Sequence, residues 1–586
     1  MAQLLDCPPE LLVHIFAYLP LTALHGLLAT SKALNNLIST SVLLQYILHS
    51  QSSAHSLYPS TSTTSLIDRL KVLVDAEKRW QDWEYTSFNR LEVQHRPSGI
   101  YDLTSGIFIL GEGSTLGRVT EGLRWVDLRL GKDLVWHRFD LQTPIVDLGL
   151  NVLEWDLIAV VSMRLGNPGF CQLDLNLLQL SKSKNSVATH HPKAKKPAIP
   201  IMQYPFEDGH CSIAIEIVGP YLALLIVFPG NRNSPDRLWV FEWETGSVKF
   251  TRSSQWMTYN SLAFLNEDTL ILPNLQDNAV ELCSFTQKPA WTPATFSPPG
   301  DNGVVMLRTS PDCLPLPTSR TLRLPATREG MSILRMACRG EPNPFATDSV
   351  PRPVKTGPLF RPAPESSIVI FNLLVGNIQH RSISFVVNRE SLLRLLESDD
   401  LEGNNNTSEL EGDEPTPAEL EENPFLTNPD YAVADNRGPP SFVPWSRWGT
   451  RAVRWFMTDD IPTRWITTSC GYRWATIAEV LPSPIYIRDF NPWRIKQVKA
   501  KLGDRKTYET EQTVVTVARP GSPTLEEGSI FADPVASDLE YLEVKTKKAY
   551  NYSSVFMDEN WILGIVLDDH GQDMKAVDIY SLSTAS

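Results

Sequence analysis

The sequence predicts an α+β multidomain chain, with a small all-α unit at the N-terminus, one connecting helix and a large all-β domain behind it. Three observations predict this. Residues 1–49 carry apolar side chains at helical spacing between prolines. Residues 65–83 show that spacing once more. From about residue 85, short β-branched and aromatic runs recur between Gly, Pro, Asn and Asp turns, without long helical patterns. At 586 residues and 42% apolar, the chain is too long for one core and apolar enough for several.

Charge and cysteine content narrow the setting. The net charge of −14 disfavours nucleic acid as a partner. Much of it sits in residues 397–422, which hold eleven acids and no Lys or Arg. The seven cysteines form no CxxC pair, which speaks against a disulfide framework or a zinc site and for a reducing compartment. No apolar run approaches the ~20 residues of a membrane span. The first residues lack a basic stretch, and Glu10 and His14 interrupt their apolar run, so no signal peptide is expected. The expected location is cytoplasmic or nuclear, with no membrane partner, and the sequons at Asn405, Asn406 and Asn551 read as chance matches.

At the N-terminus, Leu11, Leu12, Ile15, Phe16 and Leu19 fall on one side of a helix at 3.6 residues per turn. Pro8 and Pro9 suit its start, and Pro20 ends it. Thr22 is a candidate cap before Leu24, Leu27 and Leu28, and Ser31 before Leu34, Leu37 and Ile38. Three short helices cannot bury all this apolar surface among themselves, so part of it needs a partner.

The stretch DCPPELLVHIFAYLPLTALHGLLATSKALNNLI resembles an F-box. The pattern is carried by Pro8, Glu10, Leu11, Leu12, Ile15, Phe16, Leu19, Leu24, Leu28, Ser31, Lys32, Leu34 and Leu37. It departs at Cys7, where the family usually has Leu, and lacks the aromatic often found late in the third helix. The resemblance implies a three-helix unit over residues 1–49. It implies that those thirteen residues bind a Skp-type adaptor, and through it a cullin–RING ligase core. Leu12, Ile15 and Phe16 are expected at the shared core.

Residues 50–64 are rich in Ser and Thr and read as a linker, and residues 65–83 as a connector helix with Leu66, Leu70, Leu73, Val74, Glu77 and Trp80 at helical spacing. Over residues 85–582 a pair of elements repeats. Apolar runs begin at 105, 155, 219, 267, 471 and 559, each followed by a second run such as Leu123–Leu128 or Leu238–Trp243. A weaker copy pairs the run at 331 with that at 367. Antiparallel units at intervals of about fifty residues predict a β-propeller of about seven blades, with a pair of β-sandwiches as the alternative. Ring closure should bring residues 85–93 beside residues 578–582. The layout resembles that of fungal proteins with an F-box ahead of a divergent propeller-like region.

Three segments are expected to be disordered insertions: a basic one at 181–200, an acidic one at 397–440, and one at 500–550. The catalytic motifs sought are absent. The Gly-rich GEGSTLG at 111–117 reads as a hairpin loop, and Asp568, Asp569, His570 and Asp573 as a turn. His190, His191, the His210–Cys211 pair and Asp459–Asp460 form no recognisable constellation. No catalytic residue, cofactor or metal is therefore expected. Trp445, Trp448 and Trp455 alternate with Arg447 and Arg451, residue types favoured at interfaces, and form the candidate substrate-binding surface, although blade packing explains the tryptophans as well.

The functional expectation is a non-enzymatic adaptor of a Skp–cullin–F-box (SCF) type ubiquitin ligase, its β domain binding a protein substrate. The alternatives are a Skp-bound scaffold acting outside the ligase and a propeller hydrolase carrying an interaction module.

Overall fold

The computed structural model describes residues 7–57, 64–114, 119–285, 295–296, 307–308, 318–345, 359–377, 379–397, 441–461, 467–503, 505–519, 530–568, 570–571 and 573–582. The acidic insertion at 398–440 lies outside them.

Four helices open the chain: α1 Pro9–Phe16, α2 Leu21–Thr30, α3 Lys32–Thr40 and α4 Val42–Ser53. Ser31 Oγ accepts from the Leu34 N–H and Ser41 Oγ from the Leu44 N–H, capping α3 and α4. Their core joins Leu12, Phe16, Leu24, Leu34, Ile38, Leu44 and Leu48. The expected three-helix unit thus has a fourth helix, because Leu44 and Leu48 complete the core that the first three leave open.

The expected linker is also corrected. Residues 50–57 are the end of α4, a left-handed Ala54 (φ 56°) and a strand, His55–Leu57, which pairs antiparallel with Phe360–Pro362. Only residues 58–63 of that linker lie outside the described ones. The connector, α5 Leu66–Asp82, is capped by Ser65.

Seven blades follow, the first two of them parts of one continuous sheet. Blade I comprises Pro97–Thr104, Ile107–Gly113, Thr120–Asp127 and the start of the long strand His137–Asn151, whose other end opens blade II before Leu157–Leu165, Phe170–Gln179 and Ala198–Pro205. Blade III is Ser212–Val218, Tyr221–Val227, Asp236–Glu242 and Ser247–Ser254. Blade IV is Ala263–Asn266, Thr269–Asn274, Ala279–Ser284 and Thr318–Arg323, edged by a parallel Ser441–Val443. Blade V is Ser332–Arg339, Ile368–Gly376, His380–Asn388 and Val453–Met457. Blade VI is Ser469–Cys470, Arg473–Ile477, Ser483–Asp489 and Tyr541–Tyr550. Blade VII takes Ser554–Met557, Trp561–Leu567 and Met574–Ser581 from the end of the chain and its outer strand, Ser87–Glu92, from the beginning.

The ring closes by this exchange, with Phe88 opposite Tyr580 and Leu91 opposite Val577. Every junction between successive blades has its own apolar core, including that between VII and I, where Phe108 and Val126 meet Phe556 and Leu563. The fold is a seven-bladed β-propeller.

Second strands explain why the repeats were legible. In Leu157–Val161, Leu157, Ala159 and Val161 face blade III while Ile158 and Val160 face blade I, so both faces are covered and the run is apolar throughout. The runs starting at 105, 155, 219, 267, 367, 471 and 559 contain the seven second strands, whereas the run at 331 is an innermost one.

Two expected insertions are built into the ring. Within 181–200, His191 is buried, its Nε2 2.8 Å from the Trp155 carbonyl and its ring edge-on to Trp243. Lys193 lies 3.8 Å from the Trp155 ring centroid and 3.3 Å from Glu244 of blade III, so its charge meets a counter-charge on the neighbouring blade while its stem is covered by a tryptophan of its own. Within 500–550, Thr513–Ala518 and Thr507–Glu509 extend blade VI beyond its fourth strand, the alternating TVVTVA pairing with Tyr541–Thr546. Connections between strands also carry α6 Val152–Trp155, α7 Arg389–Glu397, α8 Trp445–Ala452 and α9 Pro492–Leu502.

Candidate functional site

Helix α1 is the centre of the site. Its apolar side chains divide between two sides. Leu12 and Phe16 are 3% and 2% exposed and belong to the chain's own core, whereas Leu11 is 55%, Ile15 48% and Tyr18 79% exposed. Leu11 and Ile15 are one turn apart on the helix at i and i+4, and Tyr18 follows in the turn just past its end, its N–H donating to the Ile15 carbonyl, so an exposed apolar stripe runs from the helix into that turn. Pro8, Glu10 and Lys32 are also exposed, and Leu19, Leu28 and Leu37 are half-buried.

The thirteen sequence-selected residues therefore split. Leu12, Phe16, Leu24 and Leu34 hold the helices together and offer no free surface, which corrects the expectation of a shared core at Leu12 and Phe16. Ser31 spends its hydroxyl on the cap of α3, at 3.2 Å from the Leu34 nitrogen. The exposed remainder, with Ile15 among it, can meet another protein. Tyr18 was missed in the sequence reading. Its signal was the spacing to Leu11 and Ile15.

This helical unit is seated on the propeller. Trp493 of α9 packs on its core and stacks on His25 at 4.8 Å between ring centroids. Asn491 donates to the Ser52 carbonyl at 2.8 Å, and the Ala363 N–H donates to the Ala54 carbonyl at 2.8 Å. Beneath α5 lies a buried ionic cluster. Glu77 meets Arg473 at 2.6 Å and is hydrogen-bonded by Arg494, and Asp489 lies 3.4 Å from both guanidinium groups. Burial would raise the Glu77 carboxyl, but the two arginines outweigh it and hold the group at about 2. Trp83 donates to the Tyr550 hydroxyl at 2.9 Å and closes the joint.

The tryptophan-rich segment occupies a different place from the one expected of a recognition surface. Trp448 and Trp455 are 3% and 0% exposed in the core between blades IV and V, and Trp448 donates to the Arg323 carbonyl at 2.8 Å. Trp445 is half-buried against both, with ring centroids 5.0 and 5.9 Å away. Only Arg447 and Arg451 are exposed, so as a five-residue binding surface the segment is corrected: its tryptophans fill the volume between two blades.

The innermost strands bring carboxylates together. Arg339 of blade V donates to Asp102 of blade I at 2.7 Å and to Glu341 at 2.9 Å, and Asn343 donates to Glu216 of blade III at 2.7 Å. Asp147 of blade II accepts from the Leu148 N–H at 2.8 Å, and burial pushes it up to about 7. Asp102 and Glu216 are thus tied to partners on other blades, and among the described residues no group of three or more His, Cys, Asp or Glu is arranged to hold a metal ion. The other groups weighed in the sequence are structural too: Asp459 pairs with Arg381 at 2.8 Å, and the Asp568 N–H donates to the Asp573 carbonyl across a turn. No described helix is long and apolar enough to cross a membrane.

Comparison with known proteins agrees with the helical unit. Residues 4–46 match the family model "F-box domain". No curated protein matches the chain. Among solved structures, the Dos1 propeller has a TM-score of 0.30 at 9% identity, covering 86% of this chain and 96% of that one. BamB from Moraxella catarrhalis has a TM-score of 0.26 at 9% identity, covering 85% and 100%. These likenesses are faint, and the propeller assignment rests on the strand pairing and the junction cores above. F-box domains in general bind Skp-type adaptors and mark substrate adaptors of SCF-type ubiquitin ligases. The chain therefore carries an F-box domain at residues 4–46, seated on one face of a seven-bladed β-propeller.

Proposed function

We propose that this chain is the substrate-recognition subunit of an SCF-type ubiquitin ligase. Its F-box takes a Skp-type adaptor, the adaptor brings the cullin–RING core, and the propeller holds a protein substrate. The observation that carries the reading is the exposed stripe of Leu11, Ile15 and Tyr18 inside the matched F-box. An apolar stripe left in water on an otherwise well-packed helical unit is the mark of a surface completed by a partner. Burying each such side chain is worth about 1.5–3 kcal/mol, enough over several residues to exceed the cost of association.

The chain itself needs no nucleophile for this role. Ubiquitin is transferred by a separate conjugating enzyme, and this subunit raises the rate by holding the substrate near it. The docked F-box and the ionic cluster under α5 suit that task, because a substrate on the propeller is then held at a set distance from the ligase core. The six described cysteines are free thiols, in keeping with action in the cytoplasm or nucleus.

The test is co-expression of the full chain with a Skp-type adaptor and a cullin, followed by purification through the chain. Both are expected to be retained by the wild type and lost from an Ile15→Asp variant with an unchanged melting profile. Retention of the adaptor without the cullin would favour a Skp-bound scaffold outside the ligase. Failure of the wild type to retain the adaptor would overturn the reading.

A further inference from the structure

The connection between the first and second strands of blade V carries the seat of the F-box. Its Phe360–Pro362 strand pairs with His55–Leu57, Arg361 Nε donates to the Ser56 hydroxyl at 3.3 Å, and the Phe360 ring centroid lies 6.3 Å from that of Tyr46 in α4. The described parts of this connection are two arms, residues 340–345 and 359–367. Pro342, Pro344, Pro362 and Pro364 have no N–H. The arms are therefore rich in acceptors and poor in donors, and a regular backbone ladder cannot lace them together.

Arg389 supplies the missing donors. It is the first residue of α7, directly after the third strand of the blade, and it is 0% exposed. Its Nη1 donates to the Pro342 carbonyl at 2.8 Å and to the Pro364 carbonyl at 3.0 Å, and its Nη2 to the Gly340 carbonyl at 2.8 Å. One guanidinium thus spans both arms. The place is shaped for it: a Cβ at Gly340 would come within 2.8 Å of Nη2, so only glycine leaves room. Burial pushes the guanidinium down to about 10, while Glu341, Glu365 and Glu216 pull it up, so it keeps its charge at neutral pH. Beyond the clamp, the first arm is tied to blade VI, the Gly471 N–H donating to the Glu341 carbonyl at 2.8 Å. The second is tied to the F-box, the Ala363 N–H donating to the Ala54 carbonyl at 2.8 Å. Arg389 therefore bonds within blade V, yet both arms it joins bear on the seat.

We propose that Arg389 is the positioning residue of the F-box seat: its guanidinium holds the two arms of the blade V connection as one base and so fixes the angle at which the helical unit stands on the ring. A buried fork of donors in a fixed plane can hold such a geometry, which a single-nitrogen cation cannot. Its bearing on ubiquitin transfer rests on the adaptor reading, which it deepens, because the angle of the F-box sets the span between a substrate on the propeller and the ligase core.

The test uses the full chain with spin labels attached through genetically encoded keto side chains at Ser39 of α3 and Lys575 of blade VII, both exposed. Pulsed electron resonance reads the distance between them, while adaptor retention and a melting curve are taken on the unlabelled chain. The wild type is expected to give one narrow distribution. Arg389→Met removes the fork, and Gly340→Ala displaces it while the charge stays in the chain. Both are expected to shift the distribution or widen it about twofold or more well below the melting temperature, because the released arms open locally. Both are expected to retain the adaptor, and Glu390→Gln, on the exposed neighbour, to leave the distribution unchanged. A merely stabilising Arg389 would lower the melting temperature and leave the distribution as it is, which overturns the inference. If Arg389→Met does not fold, Gly340→Ala decides by the same outcomes. If the adaptor is retained while the distances stay fixed, the positioning role falls alone. If the distances move but the wild type does not retain the adaptor, the adaptor reading falls alone.

Discussion

Glu77 of the connector helix and Arg473 of blade VI form an ion pair at 2.6 Å, with side chains 18% and 12% exposed, across 396 residues of sequence. Arg494 and Asp489 complete the cluster, so the helix that follows the F-box is locked to the ring by charges that have left water together. Such a cluster is most informative when one member is removed, because the remainder is then uncompensated.

Glu77→Gln is therefore expected to lower stability by about 3–5 kcal/mol, since Arg473 and Arg494 would then share the single carboxylate of Asp489. Chemical denaturation of the full chain measures it. A loss below about 1 kcal/mol would mean that water already screens the cluster.

The same carboxylate predicts an acid response. Its value in the fold is about 2 against an ordinary 4.5. A depressed carboxylate contributes its stability above the unfolded value and loses it as pH falls through the folded one. The contribution, about 3 kcal/mol at full strength, should fade between pH 4.5 and 2. Wild type and Glu77→Gln should converge in melting temperature across that window, and a constant gap would refute the linkage.

Asp147 predicts the opposite slope. Burial raises it to about 7, so the fold holds a proton that the unfolded chain has released. Stability should fall as pH rises from the ordinary carboxylate value near 3.8 toward 7. Asp147→Asn should remove that component and melt higher than the wild type at pH 8, as calorimetry can show.

In α1 and the turn that follows it, neighbouring positions should behave in opposite ways. Leu12→Ala and Phe16→Ala are expected to cost about 2–5 kcal/mol by opening the helical core. Leu11→Ala and Tyr18→Ala should change stability by less than about 0.5 kcal/mol yet weaken adaptor capture by about tenfold or more each. A titration with purified adaptor beside a melting curve separates the two. Equal effects from both pairs would mean that the stripe carries no partner.

At the tryptophan-rich segment, Trp448→Ala and Trp455→Ala should each cost about 3–5 kcal/mol, and Arg447→Ala and Arg451→Ala less than about 0.5 kcal/mol. Urea unfolding of the four variants checks it. A mild effect at Trp455, the least exposed of the three tryptophans, would contradict its place between blades IV and V.

The sequence by itself determined the order of parts, the F-box motif and the approximate number of repeats, because these are written in local periodicity. A second strand sandwiched between two blades must be apolar on both faces, so six of them stand out clearly in the sequence, while the seventh, in the run at 367, reads there as the partner of the run at 331. The tertiary structure decided the rest, because the deciding partners are far away in sequence. Leu11 and Leu12 are equally apolar, and only the positions of Leu24, Leu34 and Leu48 settle which of them turns inward. The basic stretch at 181–200 reads as solvated until Glu244 and Trp243 of the next blade are seen to meet it. Apart from the run at 331, the innermost strands escaped notice because axis-facing side chains such as Asp102 and Glu216 are polar and break the apolar pattern. The seating of the F-box depends on Glu77, Arg473 and Arg494, whose charges are ordinary in sequence and costly in isolation when buried, so that only the fold that pairs them can use them.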